Sequence, residues 1–196
     1  MRNAAPLLWI LCLPAWGSPN GTQLVPVQVE LESSPRLDWA VLSRARLVAA
    51  NILTPAGVDL RWNRKSPPML CSRPSIVIGF TESTPAQLLP SAMAYALPYA
   101  GGGTRITLFL DRMAPLFKLA NGSQAGILLG HVLAHEIAHI LQGIARHSAS
   151  GLMKARFSED DFQQMLIRPM PLTPDDTRLI QQALNRCSTL SGEMEQ

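Results

Sequence analysis

Within "HEIAHILQGIARHSASGLM", residues 135–153, three of the chain's four histidines lie close together, and the fourth, His131, is one helical turn upstream. His135 and His139 are four apart. On a helix that spacing puts both imidazoles on the same face in successive turns, near enough to bind one metal ion. Glu136 sits beside them. H-E-x-x-H on a helix is the arrangement in which two imidazoles hold zinc and the glutamate serves as general base toward a water that the metal has acidified. The context strengthens this reading. The motif lies in a long apolar run, where Glu136 would otherwise be an unpaired buried charge.

A third ligand has to come from beyond the helix. Gly143 ends the apolar run, and His147, four residues on, is the only histidine placed to swing back toward the first pair. Glu159 is a rival, because other H-E-x-x-H sites take a downstream glutamate from a separate helix. It also has an ordinary explanation, since it falls in the first turn after the Ser158 cap and meets the helix dipole there. His131 is read as a buried or supporting residue, because one ion is within reach of only two adjacent turns of a helix.

This segment resembles the metzincin clan of zinc endopeptidases, and within it the matrixin-like proteins of secreted bacterial type. Their motif runs H-E-x-x-H-x-x-G-x-x-H and continues to a methionine turn. Here the sequence reads His135-Glu136-Ile137-Ala138-His139, Gly143, His147-Ser148 and Gly151-Leu152-Met153, with each of the last two motif intervals one residue longer than in the family. The resemblance implies one catalytic zinc held by His135, His139 and His147, with Glu136 as the catalytic group. It also implies Met153 as the Met-turn residue and Gly143 as the helix-ending turn. The implied fold is α+β: a small twisted mixed sheet of four to five strands, a central active-site helix, a packing helix and a C-terminal helix.

The remaining sequence supplies elements in that order. "QLVPVQVEL" alternates as a half-buried strand. Ser34-Pro35 then opens a helix whose apolar positions run from Leu37 to Ile52 and stop at "TPAG". "VDLRW" alternates again, and "SIVIGF" reads as a strand buried on both faces. "AMAYALP" and "TRITLFL" read as two strands joined across "YAGGG"; Gly101 to Gly103 form a turn, since no Lys-Ser/Thr follows to make a phosphate loop. The family resemblance puts "TRITLFL" at the sheet edge. The motif helix is capped near Ser123. Ser158 with Asp161 starts another helix, and Thr173-Pro174 with Asp175 and Asp176 opens the last one.

At 196 residues, 47% hydrophobic and 16% charged, the chain has material for one core. Its net charge of +3 is dispersed, with no basic block to suggest nucleic acid or a membrane anchor. Arg2, the apolar run from Leu7 to Leu13 and Ala15-Trp16-Gly17 read as a signal peptide over residues 1–19, leaving a single domain at 20–196 in the secreted or periplasmic space. Cys12 would leave with the signal. Cys71 and Cys187 would then form either one disulfide or two separately buried thiols. Two functions fit. One is a monomeric exported endopeptidase acting on polypeptide; the other is a catalytically inactive zinc-binding interaction module.

Overall fold

The computed structural model describes residues 24–32, 37–62, 75–88, 92–96 and 104–192. Residues 1–19, Ser34-Pro35, Gly101 to Gly103, Cys71 and the side chain of Cys187 lie outside the described residues.

Alternation at the start of the described chain gives β1, Val25–Leu31, in which Val27, Val29 and Leu31 are buried while Glu30 is exposed. Helix α1, Trp39–Leu53, follows, with Asp38 as its N-cap accepting from the Ala40 N–H. A single 3-10 turn over Thr54–Ala56 and the left-handed Gly57 then return the chain into β2, Val58–Trp62. Strand β3, Ile76–Thr81, buries Ile76 and Ile78 but leaves Val77 half-exposed, so only one face of this strand is fully covered. The expectation of burial on both faces is corrected accordingly.

Two further strands complete the sheet. Strand β4, Ala94–Ala96, pairs antiparallel with β5, Arg105–Phe109, and the strand order is β2-β1-β3-β5-β4 with every other pairing parallel. The edge placement of "TRITLFL" is therefore corrected. Residues 105–109 lie inside the sheet, between β3 and β4, and the short strand around Tyr95 is the edge. Strand β5 buries Ile106 and Leu108 on the face that carries the core.

After β5 the chain turns directly into α2, Leu110–Leu119, a helix that carries Pro115 and was not anticipated from the sequence. The motif helix is α3, Gly122–Gln142. Its cap lies two residues earlier than Ser123. Asn121 is the N-cap, its side chain accepting from the Gln124 N–H at 2.9 Å while Gln124 Oε1 accepts from the Asn121 N–H at 2.9 Å. Helix α4, Glu159–Ile167, has the expected Ser158/Asp161 capping box, and α5, Pro174–Gly192, closes the chain. No helix among the described residues is long and apolar enough to cross a membrane.

What places α3 in the middle of the domain is its contact with α1. A side chain at Gly130 would put a Cβ 2.6 Å from the Val48 Cβ and 2.8 Å from the Ala45 carbonyl oxygen, and one turn earlier Gly126 meets Arg44 and Val41 as closely. The two helices approach at backbone distance along this pair of glycines. Between α3 and the sheet, Leu129, Leu133 and Ile137 join Val29, Ile78, Ile106 and Leu108 in one core.

In a helix interior alanine is favoured over glycine by about 1 kcal/mol, yet at residue 130 a methyl group has to displace backbone. Gly130→Ala is expected to destabilise the protein by roughly 1–3 kcal/mol, the range for overpacking a close-packed site. Thermal unfolding followed by circular dichroism measures it; a melting temperature at or above wild type would contradict the close approach.

Candidate metal centre

Sixteen of the 21 residues of α3 are buried, among them His131, His135, Glu136 and His139. A helix so enclosed has to satisfy each polar side chain locally. His131 does so away from the motif. Its Nδ1 lies 2.8 Å from the Ile127 carbonyl, and its Nε2 accepts from the Met170 N–H at 3.1 Å, pinning the segment before α5 onto the helix. It therefore has no ring nitrogen left for a metal.

His135 and His139, one and two turns on, each engage a carbonyl through Nδ1 alone. The His135 Nδ1 is 2.8 Å from the Leu152 carbonyl oxygen, and the His139 Nδ1 is 3.3 Å from that of Ile144. A carbonyl oxygen only accepts, so each Nδ1 carries the ring proton and each Nε2 presents a lone pair. Gly143, with φ of 69°, ends the helix in the left-handed region and donates its N–H to the His139 and Ile140 carbonyls. The chain then turns back and brings His147 to the same point. The His139 Nε2 lies 3.1 Å from the His135 Nε2 and 3.3 Å from the His147 Nε2, and the three ligand atoms fall within 4.8 Å of one another.

Two facing lone pairs repel unless something positive lies between them. Tetrahedral zinc, with Zn–N bonds of about 2.0–2.1 Å, spaces its ligands about 3.3–3.4 Å apart, so the donor set fits the ion in chemistry and the two separations from His139 are close to that spacing. Protonation is arranged to suit it. Burial, followed by the neighbouring imidazoles, pushes His135 down to about 4, and burial lowers His139 and His147 as well, so all three rings are neutral near pH 7.

Glu136 points to the same cleft. It is buried, no donor among the described residues reaches its carboxylate, and burial pushes its pKa up to about 8. The cleft is walled on one side by Met93, Ala94 and Tyr95 of the edge-strand region and on the other by His135, Glu136 and Phe157. The Phe157 ring stands edge-on to His135 at 5.8 Å. Met153 is fully buried, and its carbonyl accepts from the Ser148 N–H at 2.7 Å, closing the loop that carries His147.

Glu159 is not part of this cluster. It is exposed in the first turn of α4, where it accepts from the Gln163 side chain at 3.0 Å. Sequence reasoning did not single out Leu152 and Ile144, whose carbonyls fix the ligand tautomers, since no residue type signals a backbone acceptor. It also saw Asp176 only as a helix-start residue. That side chain is in fact fully buried and bonds to Ser148. The Thr173-x-x-Asp176 spacing shows the cap but not the partner 28 residues away.

No protein-family model matches the chain, and no curated protein sequence does. Among solved structures, the crystal structure of archaemetzincin from Methanopyrus kandleri is similar to it, with a TM-score of 0.53 at 17% identity over 86% of this chain and 99% of that one. A likeness at that identity speaks for the backbone arrangement alone. Five strands, a central helix and three convergent histidines thus sit on a metzincin-like α+β fold.

Proposed function

We propose that the chain is a zinc-dependent endopeptidase in which His135, His139 and His147 hold one metal ion and Glu136 moves the proton. A single observation carries the reading: three imidazole Nε2 atoms converge beside a buried carboxylate at the wall of an open cleft. A zinc ion held there supplies Lewis acidity, polarising a peptide carbonyl and acidifying a water molecule. The remaining chemistry belongs to the chain. Glu136 takes a proton from the water as its oxygen bonds to the carbonyl carbon, and passes it to the amide nitrogen as the C–N bond breaks. Burial raises this carboxyl and a neighbouring cation lowers it, so the two effects bracket the neutral range in which a group can both accept and return a proton.

The substrate in this proposal is an extended polypeptide that adds to the free edge of β4, with Ala94 to Ala96 supplying backbone partners opposite the motif helix. The mature enzyme acts as a monomer outside the cytoplasm after loss of residues 1–19. Glu136 is what favours catalysis over a zinc-holding interaction module, because a structural site has no use for a buried carboxylate that lacks a partner.

Glu136→Gln is expected to retain zinc and to lose about 10²–10⁴-fold in peptide hydrolysis, measured on a quenched-fluorescence peptide library. Equal turnover by the variant would remove Glu136 from the mechanism. Zinc-loaded wild type that cleaves nothing across the library would move the reading to the interaction module. Metal content by mass spectrometry should give about one zinc per chain for wild type and for Glu159→Ala, with a sharp fall for His147→Ala. The reverse pattern would make Glu159 the third ligand.

The chelator-treated protein should also carry a pH signature. The folded-state pKa of Glu136 is raised, so its contribution to stability is complete below the unfolded value of 4.5 and is lost as pH rises toward about 8. Glu136→Gln should therefore raise the metal-free melting temperature at pH 8 and leave it nearly unchanged at pH 4. Identical melting curves at both pH values would show that the carboxylate is solvated.

A further inference from the structure

The loop that brings His147 to the metal is longer than its family counterpart, and both residues flanking that histidine converge on one buried group. Ser148 Oγ donates to Asp176, 2.8 Å from Oδ1 and 3.0 Å from Oδ2. Arg146 donates from one nitrogen to Asp176 Oδ1 at 3.0 Å and to Ser148 Oγ at 3.1 Å. Asp176 is fully buried in the first turn of α5, and Thr173 completes its shell, donating through its hydroxyl at 2.6 Å and its N–H at 3.2 Å. Desolvation of this carboxylate is more than offset by these hydrogen bonds and by Arg146, so it stays ionised.

We propose that Asp176 is a positioning residue for the third metal ligand: through Ser148 and Arg146 it clamps the 146–148 backbone and holds His147 on the ion. The proposal rests on the zinc reading above. A helix cap alone does not account for the arrangement, because the cap is complete with Thr173 and the Asp176 N–H, which donates to Thr173 Oγ1 at 3.2 Å. The bonds from Ser148 and Arg146 are additional, and they come from either side of His147. The clamp also has something to restrain. His147 is exposed, whereas His135 and His139 are held by a buried helix, so it is the ligand whose position the core does not fix.

The test is zinc release from the full-length protein to a chromophoric chelator, with cobalt(II) absorption as the coordination readout. Ser148→Ala leaves the α5 cap in place and so decides the matter even where Asp176→Asn folds poorly. The expected result is zinc release about 10–100-fold faster in Ser148→Ala, the usual effect of losing a group that orients a ligand. Its cobalt spectrum should change, and its metal-free melting temperature should stay near wild type. Thr173→Ala should do the opposite, lowering the metal-free melting temperature with little change in release. In a His147→Ala background, Ser148→Ala should have no further effect on zinc affinity measured by competition. Release at the wild-type rate from Ser148→Ala, or an effect that persists without His147, overturns the clamp while leaving the zinc site standing. Wild-type protein that takes up no zinc overturns both.

Discussion

A helix buried on nearly every side has to carry three imidazoles and a carboxylate, and much of the surrounding structure answers that constraint. Unpartnered polar groups in such a place cost on the order of 1–3 kcal/mol each, and charges cost more. For His135 and His139 the answer is backbone. Leu152 and Ile144 turn their carbonyls toward the Nδ1 protons, and the loop that follows α3 is thereby tied at two points to one helix face. The same bonds choose the tautomer, so fold and ligand chemistry are set by the same contacts. The close approach of α1 at Gly126 and Gly130 completes the enclosure from the opposite side.

The parts of this arrangement that could be read in the sequence are those written within one element. The i, i+4 spacing of His135 and His139 needs only a helix, and Asn121 to Gln142 has a cap, an apolar interior and a terminating glycine. The Ser158/Asp161 box is similarly local. Strand rank is not. "TRITLFL" looks like a strand wherever it lies, and whether it is inner or edge depends on whether three residues around Tyr95 pair beyond it. Helix α2 escaped for another reason: it starts directly at the end of β5 with no side-chain cap and carries Pro115, which reads locally as a break.

The extra residues in the motif illustrate how a chain absorbs a change of length. Gly143 stands four residues after His139, and its N–H still reaches the His139 carbonyl, so the first extra residue is taken up as helix. Beyond it the loop folds back on itself. The Ser148 N–H bonds to the Met153 carbonyl, a bridge joins Ser148 to Lys154, and the Leu152 N–H bonds to the Pro171 carbonyl. A longer loop has more conformations to lose, at roughly 1–2 kcal/mol per ordered backbone residue. These backbone bonds hold the loop that carries His147.

These observations also bear on why the site and the fold should be coupled. The His135 and His139 Nε2 atoms face one another at 3.1 Å, and burial raises the pKa of the neighbouring Glu136 carboxyl. A metal ion held between them would relieve both, letting the imidazoles face one another and letting the carboxylate ionise without leaving its place. A purely structural metal would require only the first of these effects. In the proposed enzyme Glu136 would respond to the second as well, so that holding the metal and readying a base would become one electrostatic event.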